Sequence, residues 1–242
     1  MEKFKNHIDT KNLPRHIAVI MDGNGRWAQK QGAKRLFGHQ NAVKAIKNVT
    51  EASAELGVEY LTLFVFSTEN WERPKIEVDG LMSLLMSLLK KELPTLLENN
   101  IKLSSIGATG ELSEITQKRL KEAIDLTSLN TGMELILALN YSGKWDLIQA
   151  INNLLNATSE PVKSSDLEGY LSTSGIPEPE LLIRTGGEMR ISNFMLWQLA
   201  YSELYFTNKF WPDFRKKDLY EAIISYQKRE RRFGKTSDQV NT

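Results

Sequence analysis

Cysteine is absent from the 242-residue chain. Its absence removes disulfides, thiolate catalysis and cysteine-ligated zinc together, and agrees with a reducing compartment. Histidine is nearly as scarce, at three residues, which argues against a histidine-built metal centre. No charge sign dominates: the formal net charge is +1, so no global basic field points to nucleic acid. No apolar run approaches the roughly 20 residues of a membrane span. The first residues, MEKFKNHIDTKNLPR, contain no apolar core of a secretory signal. Internal repeats, low-complexity tracts and a linker are missing too. The expectation is one cytoplasmic domain over residues 1–242, with 1–14 and 235–242 as flexible ends.

Several catalytic signatures are also missing. Asp22 has Ile20, not a second aspartate, two residues before it, which excludes the haloacid-dehalogenase pattern. Gly-Lys-Thr occurs at 234–236, but Arg229 stands where a P-loop needs glycine. A G-x-S-x-G elbow is absent. No two aspartates are adjacent, so the aspartate-rich box of trans-prenyltransferases is absent as well.

What is present is an alternation of apolar strands and amphipathic helices. Hydrophobic residues make up 41% of the chain, enough for a sizeable core. Strands are predicted at 17–21, 60–66, 101–107, 133–141, 180–186 and 202–208. Helices are predicted at 41–56, 78–98, from the Ser113 cap to 128, at 144–156 and at 214–229. Continuous apolar strands with helical crossovers imply an α/β fold: a six-stranded, mainly parallel sheet covered by helices on both faces. Ligands of such sheets bind beyond the carboxyl ends of the strands.

The polar, glycine-rich segments sit there. Asp22-Gly23-Asn24-Gly25-Arg26 follows the first strand and STENWERP (67–74) the second. Asn140-Tyr141-Ser142-Gly143 follows the fourth, and RTGGEMRIS (184–192) the fifth. Arg26, Arg73, Arg184 and Arg190 all fall in these segments, with Arg35 just downstream of the first. A guanidinium binds phosphate oxygens bidentately, and flanking glycines let backbone N–H groups approach an anion. Singly, such arginines cap helices or meet surface acids; at one edge together they suit a diphosphate. Asp22 could hold Mg²⁺ against phosphate oxygens, or be an ordinary aspartate-glycine turn. His39 is predicted to precede a helix near Arg35. The helix over 78–98 is apolar nearly all round, with only Ser83 and Ser87 polar between Leu81 and Leu89. It is either a central core helix or the wall of an apolar cavity, and Pro94 should kink it.

The segments HIAVIMDGNGRWA, GHQNA, FSTENWERP, LLIRTGGEMRISNFMLWQLAYSELYF, WPDF and RERRFG resemble the cis-prenyltransferase family, its bacterial members above all. The resemblance spans residues 15–234. Thr68 stands where many members have serine, and NYSGK replaces NYGGR at 140–144. The family resemblance implies a Mg²⁺-dependent enzyme that adds isopentenyl diphosphate repeatedly to farnesyl diphosphate. Its product, a long polyprenyl diphosphate, would carry cell-wall sugars. It implies an apolar tunnel with Leu135 at its floor, a homodimer, and peripheral membrane contact when product leaves. Asp22 would be the essential Mg²⁺-linked acid, with Glu203 as a second metal ligand. Gly23, Asn24, Gly25, Arg26, Arg35 and His39 would hold the allylic diphosphate. Arg184, Arg190 and Ser192 would hold the homoallylic diphosphate, and Asn70 would help its deprotonation. Trp27, Ser67, Thr68, Glu69, Trp71, Arg73 and Ile191 match further substrate-contact positions. Arg232-Phe233-Gly234 matches a motif that reaches the neighbouring subunit's site.

Overall fold

The computed structural model describes residues 2–240. Six strands, β1 (His16–Ile20), β2 (Tyr60–Ser67), β3 (Lys102–Ile106), β4 (Glu134–Tyr141), β5 (Leu181–Arg184) and β6 (Glu203–Phe206), form one sheet in the order β3-β4-β2-β1-β5-β6. Every neighbouring pair is parallel, so the sheet is wholly rather than mainly parallel. All carboxyl ends therefore share one edge. The helices are α1 (Glu2–Lys5), α2 (Asn24–Lys30), α3 (Arg35–Leu56), α4 (Lys75–Glu98), α5 (Glu114–Thr127), α6 (Gly143–Ala157), α7 (Ser164–Glu168), α8 (Lys216–Gln227) and α9 (Ser237–Val240).

The strand period of two divides the core. Ile17, Val19, Leu61, Leu63, Leu137 and Ile183 join side chains of α3, α4 and α8 on one face. Their alternates Ala18, Ile20, Ile136, Ala138 and Leu182 meet Phe194, Met195 and Leu199 on the other. Ser113 caps α5, its hydroxyl accepting from the Thr116 N–H at 3.3 Å.

The strands lie within two residues of the predicted runs, but the helices differ more. α3 begins at Arg35 rather than 41, so His39 lies inside it instead of before it. α4 begins at Lys75 and continues through Pro94 to Glu98. The seven-residue α2 shows no apolar period that would announce it in the sequence. It is set by close approach to α3: a Cβ at Gly38 would stand 1.9 Å from the Asn24 carbonyl oxygen. At the amino end, Gln227 of α8 donates to the carbonyls of Asp9 and Asn12 at 2.7 and 2.8 Å, and Ile8 is buried. Of the ends predicted to be flexible, Met1, Asn241 and Thr242 lie outside the described residues.

His16 is fully buried at the start of β1, Nδ1 donating to the Pro177 carbonyl at 2.6 Å and Nε2 accepting from the Thr62 hydroxyl at 2.7 Å. Burial lowers its pKa to about 4, against the weaker opposing pull of the Pro177 carbonyl and nearby carboxylates. The unfolded chain therefore takes up this proton first as pH falls. The stability His16 contributes is complete above pH 6.5 and is lost between there and about 4. The loss is on the order of 3 kcal/mol. His39, also lowered to about 4, acts with the same sign. Urea unfolding at pH 7.5 and 4.5 should show that His16→Gln starts less stable but loses distinctly less than the parent over the interval. An equal loss in both chains contradicts this assignment.

Candidate active site

β1 ends at Ile20, and the chain turns through Asp22 and Gly23 into α2. Gly23 takes a left-handed φ of 99°, and a Cβ there would stand 2.6 Å from the Phe210 ring. The turn is stapled to the strand beside it. Thr185 donates its hydroxyl to the Asp22 carbonyl at 2.7 Å, and the Trp211 N–H donates to the same oxygen at 3.0 Å. Because β1 pairs with β5, with Ile20 opposite Arg184, the Arg184 guanidinium arrives at the Asp22 carboxylate. Nη2 donates to Oδ2 at 3.0 Å, and Arg26 Nη2 lies 3.3 Å from the same oxygen. The Gly23 N–H donates to Oδ1 at 2.6 Å.

Asp22 is thus half-buried and well bonded, not an exposed turn aspartate. Burial raises its pKa, but hydrogen bonds from Arg184 and the Gly23 N–H, with the charges of Arg184 and Arg26, outweigh it and hold the carboxyl below its ordinary range. Arg184 is 3% exposed; Nη1 also donates to the Arg190 carbonyl and to the Ser192 hydroxyl, the latter at 2.8 Å. Glu188 ties Arg26 to Arg190 across the rim.

A cavity of about 600 Å³ opens at this edge between β1, β2, α3 and α4. Its mouth is polar: Asp22, Gly23, Asn24, Gly25, Arg35, His39, Ser67, Glu69, Asn70, Arg73, Arg184 and Ser192 all line it. Its depth is apolar, walled by Ile46, Phe64, Val65, Leu81, Met82, Leu85 and Leu88. A second cavity of about 90 Å³ continues toward the amino ends of the strands; Ile46, Val65, Leu85 and Leu88 line both, and Leu135 lines the second. Three polar atoms at the mouth, Asn24 Oδ1, His39 Nε2 and Arg184 Nε, are buried with no hydrogen-bond partner among the described residues.

The remaining predicted positions divide. Arg26 and Arg190 stand at the rim through Asp22 and Glu188. Trp27 stacks on Phe37 with ring centres 5.8 Å apart, and Ile191 packs in the second core cluster. Trp71 donates to Asn140 at 2.8 Å and is 43% exposed. Neither Trp27, Thr68, Trp71 nor Ile191 is among the described residues lining the cavity. The segment after the fourth strand supports rather than lines: Asn140 holds Trp71, and Gly143 and Lys144 N–H groups donate to Asn193. Asn193 in turn donates to Glu69 at 2.7 Å; this bond, with others, holds the Glu69 carboxyl below its usual range despite burial, which alone would raise it.

Glu203 stands apart from Asp22 within the single chain. It opens β6 opposite Leu181, at the amino edge of the sheet, and accepts from Arg229 at 2.7 Å. Within one chain it stands at the other end of the strands from Asp22, so the two predicted metal ligands are not brought together. Ser83 and Ser87 are exposed, so the cavity-facing side of α4 is its Leu/Met side.

Sequence reasoning missed Thr185, Asn193 and Glu77. Thr185 sits inside the RTGG segment already singled out. Glu77 carries a weaker signal, an acid one helical turn after Arg73.

The cavity mouth is built for a multiply charged anion, and the interior for a hydrocarbon. For Mg²⁺, the described residues contain no cluster of three metal-ligating side chains. An all-protein site therefore does not fit. A single carboxylate sharing the ion with diphosphate oxygens does, which is how Mg²⁺ is commonly held.

Residues 20–234 match a family described as undecaprenyl diphosphate synthase. Isoprenyl transferase of Chlorobaculum tepidum is 53% identical, covering 95% of this chain and 89% of its own. A Vibrio vulnificus enzyme named ditrans,polycis-undecaprenyl-diphosphate synthase, (2E,6E)-farnesyl-diphosphate specific, is 48% identical over 96% of this chain and 94% of its own. Among solved structures, lavandulyl diphosphate synthase from Lavandula x intermedia, in complex with dimethylallyl diphosphate, superposes with a TM-score of 0.89 at 36% identity, covering 92% and 99% of the two chains.

Proposed function

The chain belongs to the undecaprenyl diphosphate synthase family, and from that premise we propose that it condenses isopentenyl diphosphate repeatedly onto farnesyl diphosphate to give undecaprenyl diphosphate. The observation that carries this reading is the joining of a guanidinium-rich mouth at Asp22 to an apolar cavity of about 600 Å³. The fold alone does not choose the product, since a structural relative bears the name of a different synthase. The curated relatives and the chemistry of the mouth support the long-chain reading together.

In each condensation the bond from the allylic carbon to its diphosphate oxygen breaks. The terminal alkene carbon of isopentenyl diphosphate bonds to that carbon, and a neighbouring proton leaves to form the new double bond. Gly23, Asn24, Gly25, Arg26, Arg35 and His39 hold the allylic diphosphate. His39 is neutral at pH 7, because burial first, and then Arg73 and Arg35, lower its pKa to about 4 against the pull of Glu77. It therefore offers a ring N–H rather than a full charge. Arg184, Arg190 and Ser192 hold the homoallylic diphosphate. Asn70, whose Oδ1 already accepts from the Ser67 N–H at 3.3 Å, orients the group that loses its proton. Asp22 would hold Mg²⁺ against diphosphate oxygens, and the bound ion would supply charge neutralisation for the leaving group.

The apolar depth becomes the tunnel for the growing chain, with Leu88 at its neck and Leu135 at its floor. Residues 1–242 act as one domain. Tyr201 and Phe233, 63% and 56% exposed and with ring centres 5.8 Å apart, lie where the resemblance places a twofold contact, and we assign a homodimer there. No helix among the described residues is long and apolar enough to cross a membrane. A cytoplasmic enzyme that passes its product to a membrane surface is consistent with that.

Inorganic diphosphate release, measured on the sedimented species, tests assembly and activity together. The fraction with twice the chain mass should release diphosphate only when both substrates and Mg²⁺ are present, and chelator should abolish it. Release from farnesyl diphosphate alone, or a fully active monomer, contradicts the reading.

A further inference from the structure

Glu77 lies in the first turn of α4 and has no part in the roles assigned above. Its side chain is 11% exposed and is not among the residues lining the cavity, yet three lining side chains converge on it. Arg35 Nε is 3.3 Å from Oε2, Arg73 Nη1 is 3.1 Å from Oε1, and His39 Nε2 is 3.8 Å from Oε1. An acid in a first helical turn favours the helix, and an i,i+4 pair explains Arg73. Neither explains why two residues of α3 reach the same carboxylate. The Arg35 guanidinium is also pressed against the diphosphate loop: a Cβ on Gly25 would stand 3.0 Å from its central carbon. Arg35 and Arg73 remain 52% and 31% exposed while Glu77 is covered. An anion entering the cavity thus meets the open side of both guanidiniums, with the carboxylate behind them. With His39 neutral at pH 7, the fixed charges of the cluster are two cations and one anion.

We propose that Glu77 is the built-in counter-anion of the allylic diphosphate clamp: it positions Arg35 and Arg73 from behind and cancels part of their charge, so that diphosphate is held loosely enough to leave in every cycle. This rests on the reading that Arg35 and His39 bind the allylic diphosphate. An enzyme that condenses repeatedly gains nothing from binding substrate and leaving group ever more tightly, since uniform binding does not speed the step. A carboxylate several ångströms behind a bound anion, in surroundings of intermediate dielectric, weakens it by about tenfold.

The test is calorimetric binding of farnesyl diphosphate, without isopentenyl diphosphate so that no turnover occurs, to the parent, Glu77→Gln, Glu77→Asp, Arg35→Ala and Arg73→Ala chains. Glu77→Gln keeps one acceptor oxygen and loses the charge. It should bind about tenfold tighter. In turnover it should lower kcat and the KM for farnesyl diphosphate together, leaving the KM for isopentenyl diphosphate unchanged. A merely structural role would move stability without that one-sided split. Glu77→Asp draws the carboxylate back and should tighten binding less, in the same direction, so it decides the matter if Glu77→Gln does not fold. Unchanged or weaker binding in the Glu77 variants overturns the proposal. Unchanged binding in both arginine variants overturns the placement of the allylic diphosphate itself, whatever Glu77 does.

Discussion

Asp22→Asn should lower kcat by roughly 10³-fold, about 4 kcal/mol, with a far smaller change in the affinity for farnesyl diphosphate. The carboxylate is asked to act where charge develops on the leaving group, so its loss falls on the transition state. The allylic diphosphate keeps its arginines and backbone N–H groups, and its binding should hold or tighten as a negative charge leaves the mouth. Asparagine is the informative change. It keeps the size of the side chain and an acceptor for the Gly23 N–H. Alanine would also strip a partner from Arg184, a buried cation whose remaining bonds go to Ser192 and the Arg190 carbonyl. That would mix a folding defect into the rate, because removing one member of a buried pair is strongly destabilising. If Asp22 served only the turn, Asp22→Asn would melt lower and turn over near normally. Measuring kcat, farnesyl diphosphate affinity and melting temperature on one preparation separates the two.

Leu88→Trp should convert the enzyme to one making much shorter products, and Leu135→Ala should shift the distribution longer. Leu88 lines both cavities, so an indole there fills the neck between them. Leu135 sits near the amino end of β4 and lines only the second cavity, so truncation opens the floor. Leu88 is half-buried and lines the same cavity as Met82, an adaptable side chain, so the larger residue can be housed without breaking the core. Leu135→Ala carries the usual cost of a core truncation, about 2–5 kcal/mol, and calls for assay well below its melting temperature. Chain lengths unmoved by both changes would remove these leucines from the tunnel wall.

Much of this architecture was readable before any coordinates. Continuous apolar runs mark buried parallel strands, and the parallel sheet collects the glycine- and arginine-bearing segments on one edge. Strand pairing, however, is not written in local pattern. That β5 sits beside β1 is what delivers Arg184 to Asp22, and nothing within either segment announces it. The same topology separates Glu203 from Asp22: both flank strands, but at opposite ends, a distinction that depends on which residue of β6 starts the ladder. α2 is not legible in the sequence because it is held by the approach of Asn24 to Gly38 rather than by an apolar stripe. The serines of α4 are the polar exceptions on an apolar helix, and they mark its outer face. Among the cavity-lining residues of the other side, Leu81, Met82 and Leu88 are half-buried and Leu85 is buried. Glu77 is inconspicuous in the sequence for a physical reason. A carboxylate that balances cations, as Glu77 does for Arg35 and Arg73, has the local pattern of an ordinary surface acid; only the fold brings its partners to it.

The most direct test of the central claim is the product itself. The parent chain, incubated with farnesyl diphosphate, radiolabelled isopentenyl diphosphate and Mg²⁺, should yield label in a long polyprenyl diphosphate that comigrates with undecaprenyl diphosphate once dephosphorylated. No incorporation, or a product that stops after a single condensation, would contradict the account.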